Sequence, residues 1–273
     1  MIAADRGLQA IPFSALPFMR GQQGSRVAIT MTPALSLTSW ERPAEGSGSS
    51  RLLLAGATKF PNGLAPLPMV GQELTSLASI YPADVLLNES FTATALQERT
   101  RQGRYKQIHI ASHAEFASGG SAVIHTGGKP ITIKELGAAL QTTTGRTPDL
   151  VSLSACRTTL GDERSELGLV GIALSSGSHS GIGTLWYVDD TANAAFFAQF
   201  YRYLKAGHSK DIALSRTQDD FRLGLIQVKG EKVVNGEGDV LLQGLNRGNQ
   251  LRFANGFRHP YYWAGAVLSG SPW

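Results

Sequence analysis

Short apolar runs alternate with amphipathic stretches from residue 51 to the C-terminus, and this alternation predicts the architecture. Residues 51–56 (R-L-L-L-A-G) have the length and continuous apolar character of a strand buried on both faces. After a Pro-rich turn at 61–68, Val70, Leu74, Leu77 and Ala78 fall on one face of a helix spanning 70–80. Residues 84–87 read as a strand, and Thr92 or Thr94 as the cap of a helix reaching 101. Residues 107–113 (Q-I-H-I-A-S-H) form the next strand, followed by a hairpin at 122–129 and a helix at 132–140 with Glu135 in its first turn. Residues 150–153 are again strand-like, 168–176 helical and 181–186 a buried strand. Asp190 caps a long helix to 204, 210–223 is a further helix, and 261–268 closes as an aromatic strand. Strands alternating with helices predict an α/β fold: a mostly parallel sheet with helices on both faces.

The ends of this pattern are less regular. Residues 2–4 read as the tail of a strand, 5–7 as a turn, 8–13 as extended and 26–31 as a strand, so the first 50 residues supply leading strands and a hairpin. Starting inside a hairpin leads to the expectation that the chain was cut from something longer. Residues 41–50 (E-R-P-A-E-G-S-G-S-S) are a solvated loop tip, with strands on both sides. Residues 224–259 are rich in Gly and Asn with little periodicity and read as a surface insertion. The expectation is a single domain over 1–273.

Composition narrows the function. The net charge is only +4 at a sequence pI near 9.3, and no five-residue run is mostly Lys or Arg, which argues against nucleic acid. No apolar run reaches 18 residues, and Asp5 and Arg6 interrupt the N-terminus, so neither a span nor a signal peptide is expected and the cytoplasm is the expected location. One cysteine among 273 residues cannot form an internal disulfide, which suits a reducing compartment. One Cys with six scattered His offers no structural zinc site. Gly177, Gly181 and Gly183 lack the dinucleotide spacing and no Walker motif is present, so no cofactor is expected.

The single cysteine, Cys156, stands where the strand V-S-L-S-A-C-R gives way to a polar loop at 157–162. Taken alone it reads as a small buried core residue. A second strand changes that: His113 lies just past the end of 107–113, and 43 residues separate it from Cys156, enough for a crossover placing the two strands side by side. A thiol needs conversion to thiolate to attack, and a nearby imidazole commonly supplies this. S-A-C-R approaches the caspase signature Q-A-C-[RQG]-G with its His roughly 50 residues upstream, with Ser154 and Thr158 departing from it. His109 lies inside the strand and reads as structural.

The strings I-H-I-A-S-H-A-E-F, L-S-A-C-R-T, G-T-L-W-Y-V-D-D, F-Y-R-Y-L and H-P-Y-Y-W-A-G, in that order, together resemble the CHAT family. These are caspase-like domains often found behind tetratricopeptide repeats in bacterial proteins. The resemblance covers nearly the whole chain. It implies a caspase-like (caspase-hemoglobinase, separase-type) fold and a cysteine endopeptidase acting on protein substrates, governed by an upstream sensor region, tetratricopeptide or other. On that basis Cys156 is the expected nucleophile and His113 the general base. The backbone N–H groups of Cys156 and Ala114 form the expected oxyanion hole, Ala114 standing where many caspase-like enzymes have Gly. Glu115 reads as an exposed loop residue.

By similarity to separases, Trp186, Asp189 and Asp190 in W-Y-V-D-D would line a pocket for Arg or Lys before the cut. A helix cap for Asp190 and a core position for Trp186 are the competing readings. Asp162, Glu163 and Glu166 add negative charge to the loop after Cys156. The expected activity of the isolated chain is weak. Two other functions remain open: an inactive caspase-like scaffold, and a Cys acyl-hydrolase acting on small molecules.

Overall fold

A computed structural model describes residues 1–4, 8–16, 27–32, 38, 51–117, 121–155 and 168–273. The chain runs β1 (Leu52–Gly56), α1 (Met69–Ile80), β2 (Ala83–Leu87), α2 (Ala93–Thr100), β3 (Gln107–Ala111), β4 (Ala114–Ala117), β5 (Ser121–Ile124), β6 (Ile131–Thr132), α3 (Ile133–Leu140) and β7 (Leu150–Ser154). It continues as α4 (Gly168–Ser175), β8 (Ser180–Thr184), α5 (Asp190–Lys205), α6 (Lys210–Leu223), β9 (Gln227–Lys229), β10 (Lys232–Val234), β11 (Val240–Leu242), α7 (Arg247–Arg252) and β12 (Ala266–Gly270).

The central sheet has the order β12-β8-β7-β3-β1-β2. Its strands are parallel except β12, which runs antiparallel to β8. This is the mostly parallel sheet that the alternation of strands and helices predicts. Side chains alternate across the pleat, so β1 serves two cores at once. Leu52 and Leu54 join a cluster with α1, α5 and α6, while Leu53 and Ala55 join one with α2, α3 and α4. Each of these fully buried leucines contributes about 2 kcal/mol of transfer free energy.

Local chemistry explains where elements begin. Thr92, not Thr94, caps α2, its hydroxyl accepting Ala95 N–H at 3.1 Å. Thr132 and Glu135 form a reciprocal capping box at α3. Three expectations shift. The strand predicted at 26–31 reduces, among the described residues, to Met31, bridging Ile2 on one side and Ser269 of β12 on the other. The predicted strand 261–268 starts only at Ala266, because Pro260 suits the opening of a 3-10 turn and the His259 imidazole caps it, accepting Tyr261 N–H at 3.2 Å. Residues 224–259 hold the small sheet β11-β10-β9 and α7, and place Val233, Leu241, Leu242, Phe253 and Phe257 in the larger core. Strands of three residues are too short to show a period, which is why this packing left no pattern. Among the described residues no helix is long and apolar enough to cross a membrane.

Candidate active site

β3 and β7 lie side by side in register, Ala111 opposite Ser154. Beyond the last paired residues, Ser112 N–H still donates to Ser154 C=O at 3.2 Å. Both strands therefore leave the sheet at its C-terminal edge, where open α/β sheets hold their ligands. His113 follows β3 and is half-buried, and buried Ala155 follows β7. The Ala155 carbonyl accepts the Thr184 hydroxyl from β8 at 2.8 Å, so the strand end is tied on both sides. Cys156 lies outside the described residues, as do Asp162, Glu163 and Glu166 and the stretch 41–50.

The segment between β1 and α1 orients His113. Its Nε2 lies 2.8 Å from the Ala65 carbonyl oxygen. A carbonyl only accepts, so Nε2 carries the proton, and in the neutral ring Nδ1 holds the lone pair. The Phe60 ring rests against the imidazole with centroids 4.7 Å apart. This segment is pinned at several points. Leu67 N–H donates to Thr58 C=O at 3.0 Å, and Thr58 N–H to Asn88 Oδ1 at 2.8 Å. Asn88 holds a positive φ of 54°, which Asn tolerates better than most residues. Gly127 packs directly on it, where a Cβ would lie 2.6 Å from the Asn88 carbonyl carbon. Asn62 donates its amide to His125 Nδ1 at 3.0 Å, and the exposed Glu115 carboxylate stands 3.2 Å from His125 Nε2. Glu115 thus sits on β4, against His125 and not in a free loop.

Ala114 pairs with Ile124 across the antiparallel β4–β5 ladder. The neighbouring positions carry a ladder bond, His125 N–H to His113 C=O at 2.9 Å. Bonded and non-bonded pairs alternate in such a ladder, so the Ala114 N–H points away from β5.

The start of α5 packs against the end of β7. Asp189 is its N-cap, one residue before the expected Asp190: Asp189 Oδ1 accepts Thr191 N–H at 2.9 Å and Ala192 N–H at 3.2 Å. Asp190 instead reaches across to α1, where its Oδ2 accepts Met69 N–H at 2.8 Å and caps that helix from outside. Burial pushes the Asp190 carboxyl up to about 7; Glu73 and Asp189 push the same way, and the Met69 N–H opposes them. One turn on, Asn193 donates its amide to Ser154 Oγ at 2.8 Å, anchoring α5 to the end of β7. Asp189 Oδ2 lies 2.8 Å from Arg252 Nη1 of α7. Trp186 donates its indole N–H to Tyr261 C=O at 3.0 Å, and its ring fills the space above Gly265, where a Cβ would lie 2.7 Å away. It is half-buried, neither fully core nor free wall.

His109 is structural in the way its place inside the strand predicts. Fully buried, it meets Glu73 Oε1 through Nε2 at 2.9 Å, with Phe197 and Tyr201 in edge-to-face contact with its ring. Four groups that contact the predicted site residues or the strand end beside them escaped the sequence reading: the Ala65 carbonyl, Phe60, Asn193 and Arg252. A backbone acceptor leaves no residue-type signal, Phe60 precedes and Ala65 lies within a stretch legible only as a turn, and Arg252 falls in the aperiodic 224–259 segment. Asn193 in A-N-A-A-F was the one with a signal, a polar residue on an otherwise apolar helix face. Among the described residues no three His, Cys, Asp or Glu side chains converge on a metal site.

A family model described as "CHAT domain" matches residues 1–271. No curated protein matches the sequence. Two crystal structures of the Saccharomyces cerevisiae separase–securin complex superpose on 99% and 96% of this chain, with TM-scores of 0.57 and 0.54 and identities of 16% and 13%. This chain spans 15% of the matched chain in each. The Arg specific cysteine proteinase gingipain R superposes on 82% of this chain and 46% of its own, with a TM-score of 0.50 and 8% identity. At such identities the likeness is one of fold: a mixed α/β, mostly parallel sheet of the caspase-like kind.

Proposed function

The chain belongs to the CHAT domain family, and from that premise we propose that it is a cysteine endopeptidase cutting protein substrates after Arg or Lys, with Cys156 as nucleophile and His113 as general base. The observation that carries this is the fixed tautomer of His113. With Nε2–H committed to Ala65 C=O, Nδ1 is the basic atom, at the end of a strand hydrogen-bonded to the one that leads into Cys156. Nδ1 takes the thiol proton, and the thiolate attacks the scissile carbonyl carbon. The resulting oxyanion is met by the backbone N–H of Cys156 and that of Ala114, which is free of the β4–β5 ladder. The imidazolium, stabilised through Nε2–H by the Ala65 carbonyl, returns its proton to the leaving amine as the C–N bond breaks. Water, deprotonated by the same Nδ1, then hydrolyses the thioester and restores the thiol.

Preference for a basic residue is assigned to Asp189 and Asp190, with Trp186 as the adjoining wall. Two things support it: a carboxylate of α5 that already holds a guanidinium, and a structural neighbour that is itself Arg specific. As part of the same proposal the enzyme acts in the cytoplasm under an upstream sensor region and is largely latent without it. The whole of 1–273 would act as one domain.

The test is labelling with peptidyl electrophiles carrying Arg, Lys, Leu or Asp at the reactive end, read by intact mass. A single adduct with the basic probes, absent in Cys156→Ala, is the expected result. Adducts with only the Leu or Asp probe contradict the specificity, and no adduct with any probe contradicts the peptidase assignment and leaves a scaffold.

A further inference from the structure

Asp189 divides its two carboxylate oxygens between different partners. Oδ1 is committed to Thr191 N–H and Ala192 N–H at the start of α5. Oδ2 takes no part in that cap and meets Arg252 Nη1 at 2.8 Å. The two members of this ion pair are held very differently: the Asp189 side chain is 9% exposed and that of Arg252 56% exposed. The carboxylate is the fixed member and the guanidinium the loose one. A half-exposed ion pair of this kind is weakly held.

We propose that Asp189 Oδ2 is the oxygen that selects a basic substrate side chain, and that Arg252 is its intramolecular occupant, which swings aside when such a side chain enters. The proposal rests on the peptidase assignment for the identity of that side chain. With Oδ1 committed to the cap, Oδ2 is the oxygen left for a cation, so Arg252 and a substrate guanidinium or ammonium compete for it. Asp190 is the poorer selector, because its Oδ2 is committed to Met69 N–H and burial keeps it partly protonated near neutral pH. Release of Arg252 need not unfold anything. Phe253 beside it is fully buried, and Asn249 holds α7 to α5 through its amide donating to Thr191 Oγ1 at 2.9 Å. The side chain can move while its helix stays, finding a resting place near the Phe253 ring, over which its guanidinium already lies at 5.3 Å.

The test measures binding of Nα-acetyl-arginine amide, with Nα-acetyl-leucine amide as control, by calorimetry. The proteins compared are the native chain, Arg252→Ala and the double variant Arg252→Ala/Asp189→Asn. Asn retains an oxygen for the Thr191 and Ala192 N–H groups, so α5 keeps its cap, and thermal melts check this. Arg252→Ala should bind the arginine amide about two- to fivefold more tightly than the native chain, a gain of up to about 1 kcal/mol. The double variant should lose that gain, and the leucine amide should distinguish none of the three. Equal binding by native and Arg252→Ala overturns the proposal, as does a gain that survives Asp189→Asn. Hydrolysis of matched Arg and Leu peptides is followed in parallel. Absence both of hydrolysis and of Cys156 labelling by the arginyl electrophile in every protein, with the binding pattern intact, removes the peptidase assignment and leaves the guanidinium site standing.

Discussion

His113 and Ala65, 48 residues apart, are joined by a 2.8 Å hydrogen bond from the imidazole Nε2–H to the backbone carbonyl. The acceptor is main chain, so no side-chain substitution at position 65 deletes it outright. What sets the imidazole is the course of the segment from Thr58 to Leu67. The sensitive positions are therefore those that hold that segment, including Phe60, Asn62 and Asn88.

Phe60→Ala should lower kcat on a good peptide by roughly two- to tenfold with little change in KM. The Phe60–His113 ring contact is of a kind worth about 0.5–1.5 kcal/mol. Its loss frees the imidazole without touching the substrate pocket. Steady-state kinetics check this, and an unchanged kcat with a raised KM would assign Phe60 to substrate binding instead.

Asp190 makes stability depend on pH. Its folded pKa is pushed from 3.8 up to about 7, chiefly by burial. Between these values the folded state holds a proton that the unfolded state has released, so folding is progressively disfavoured as pH rises from about 4 to about 7. The full penalty is reached above about pH 7 and is absent below about pH 4. Asp190→Asn should therefore gain on the native chain by about 2–4 kcal/mol at about pH 8 relative to about pH 4. Urea denaturation at the two pH values measures this; a difference that does not change with pH contradicts the raised pKa.

Glu73→Ala should cost about 3 kcal/mol. It strips the fully buried His109 of its Nε2 partner, on a ring whose Nδ1 already has none among the described residues, and opens a cavity beneath α1. The expected result is a lower urea midpoint with an unchanged slope. Because α1 begins at Met69, which Asp190 caps, some loss of activity should accompany it. A stability change under about 1 kcal/mol would show that water replaces the carboxylate.

Much of this was legible from residue pattern. Runs such as L-L-L-A and L-V-S-L are buried strands because both faces of the sheet are covered, and the pleat divides Leu53 from Leu54 between two cores. His113 could be placed at a strand end because Ile108 and Ile110 alternate before it. The capping of α5 slipped by one residue because Asp189 and Asp190 are chemically identical candidates, and only the backbone at Asp189, extended at φ −72° and ψ 135°, separates them. Arg252 was invisible as a partner because nothing local links it to a residue 63 positions earlier; only the packing of α7 against α5 does.

If His113 activates Cys156, the effect can be read on one thiol, because the chain holds one cysteine. The direct measurement is the rate of iodoacetamide alkylation of the folded protein against pH, in the native chain and in His113→Ala. An ordinary thiol titrates near about 8.5, whereas one beside an imidazole is thiolate well below that. The native rate should already be substantial at about pH 6, and His113→Ala should lose at least about tenfold there and recover only as pH approaches about 8.5. Superimposable profiles for the two proteins would contradict the dyad.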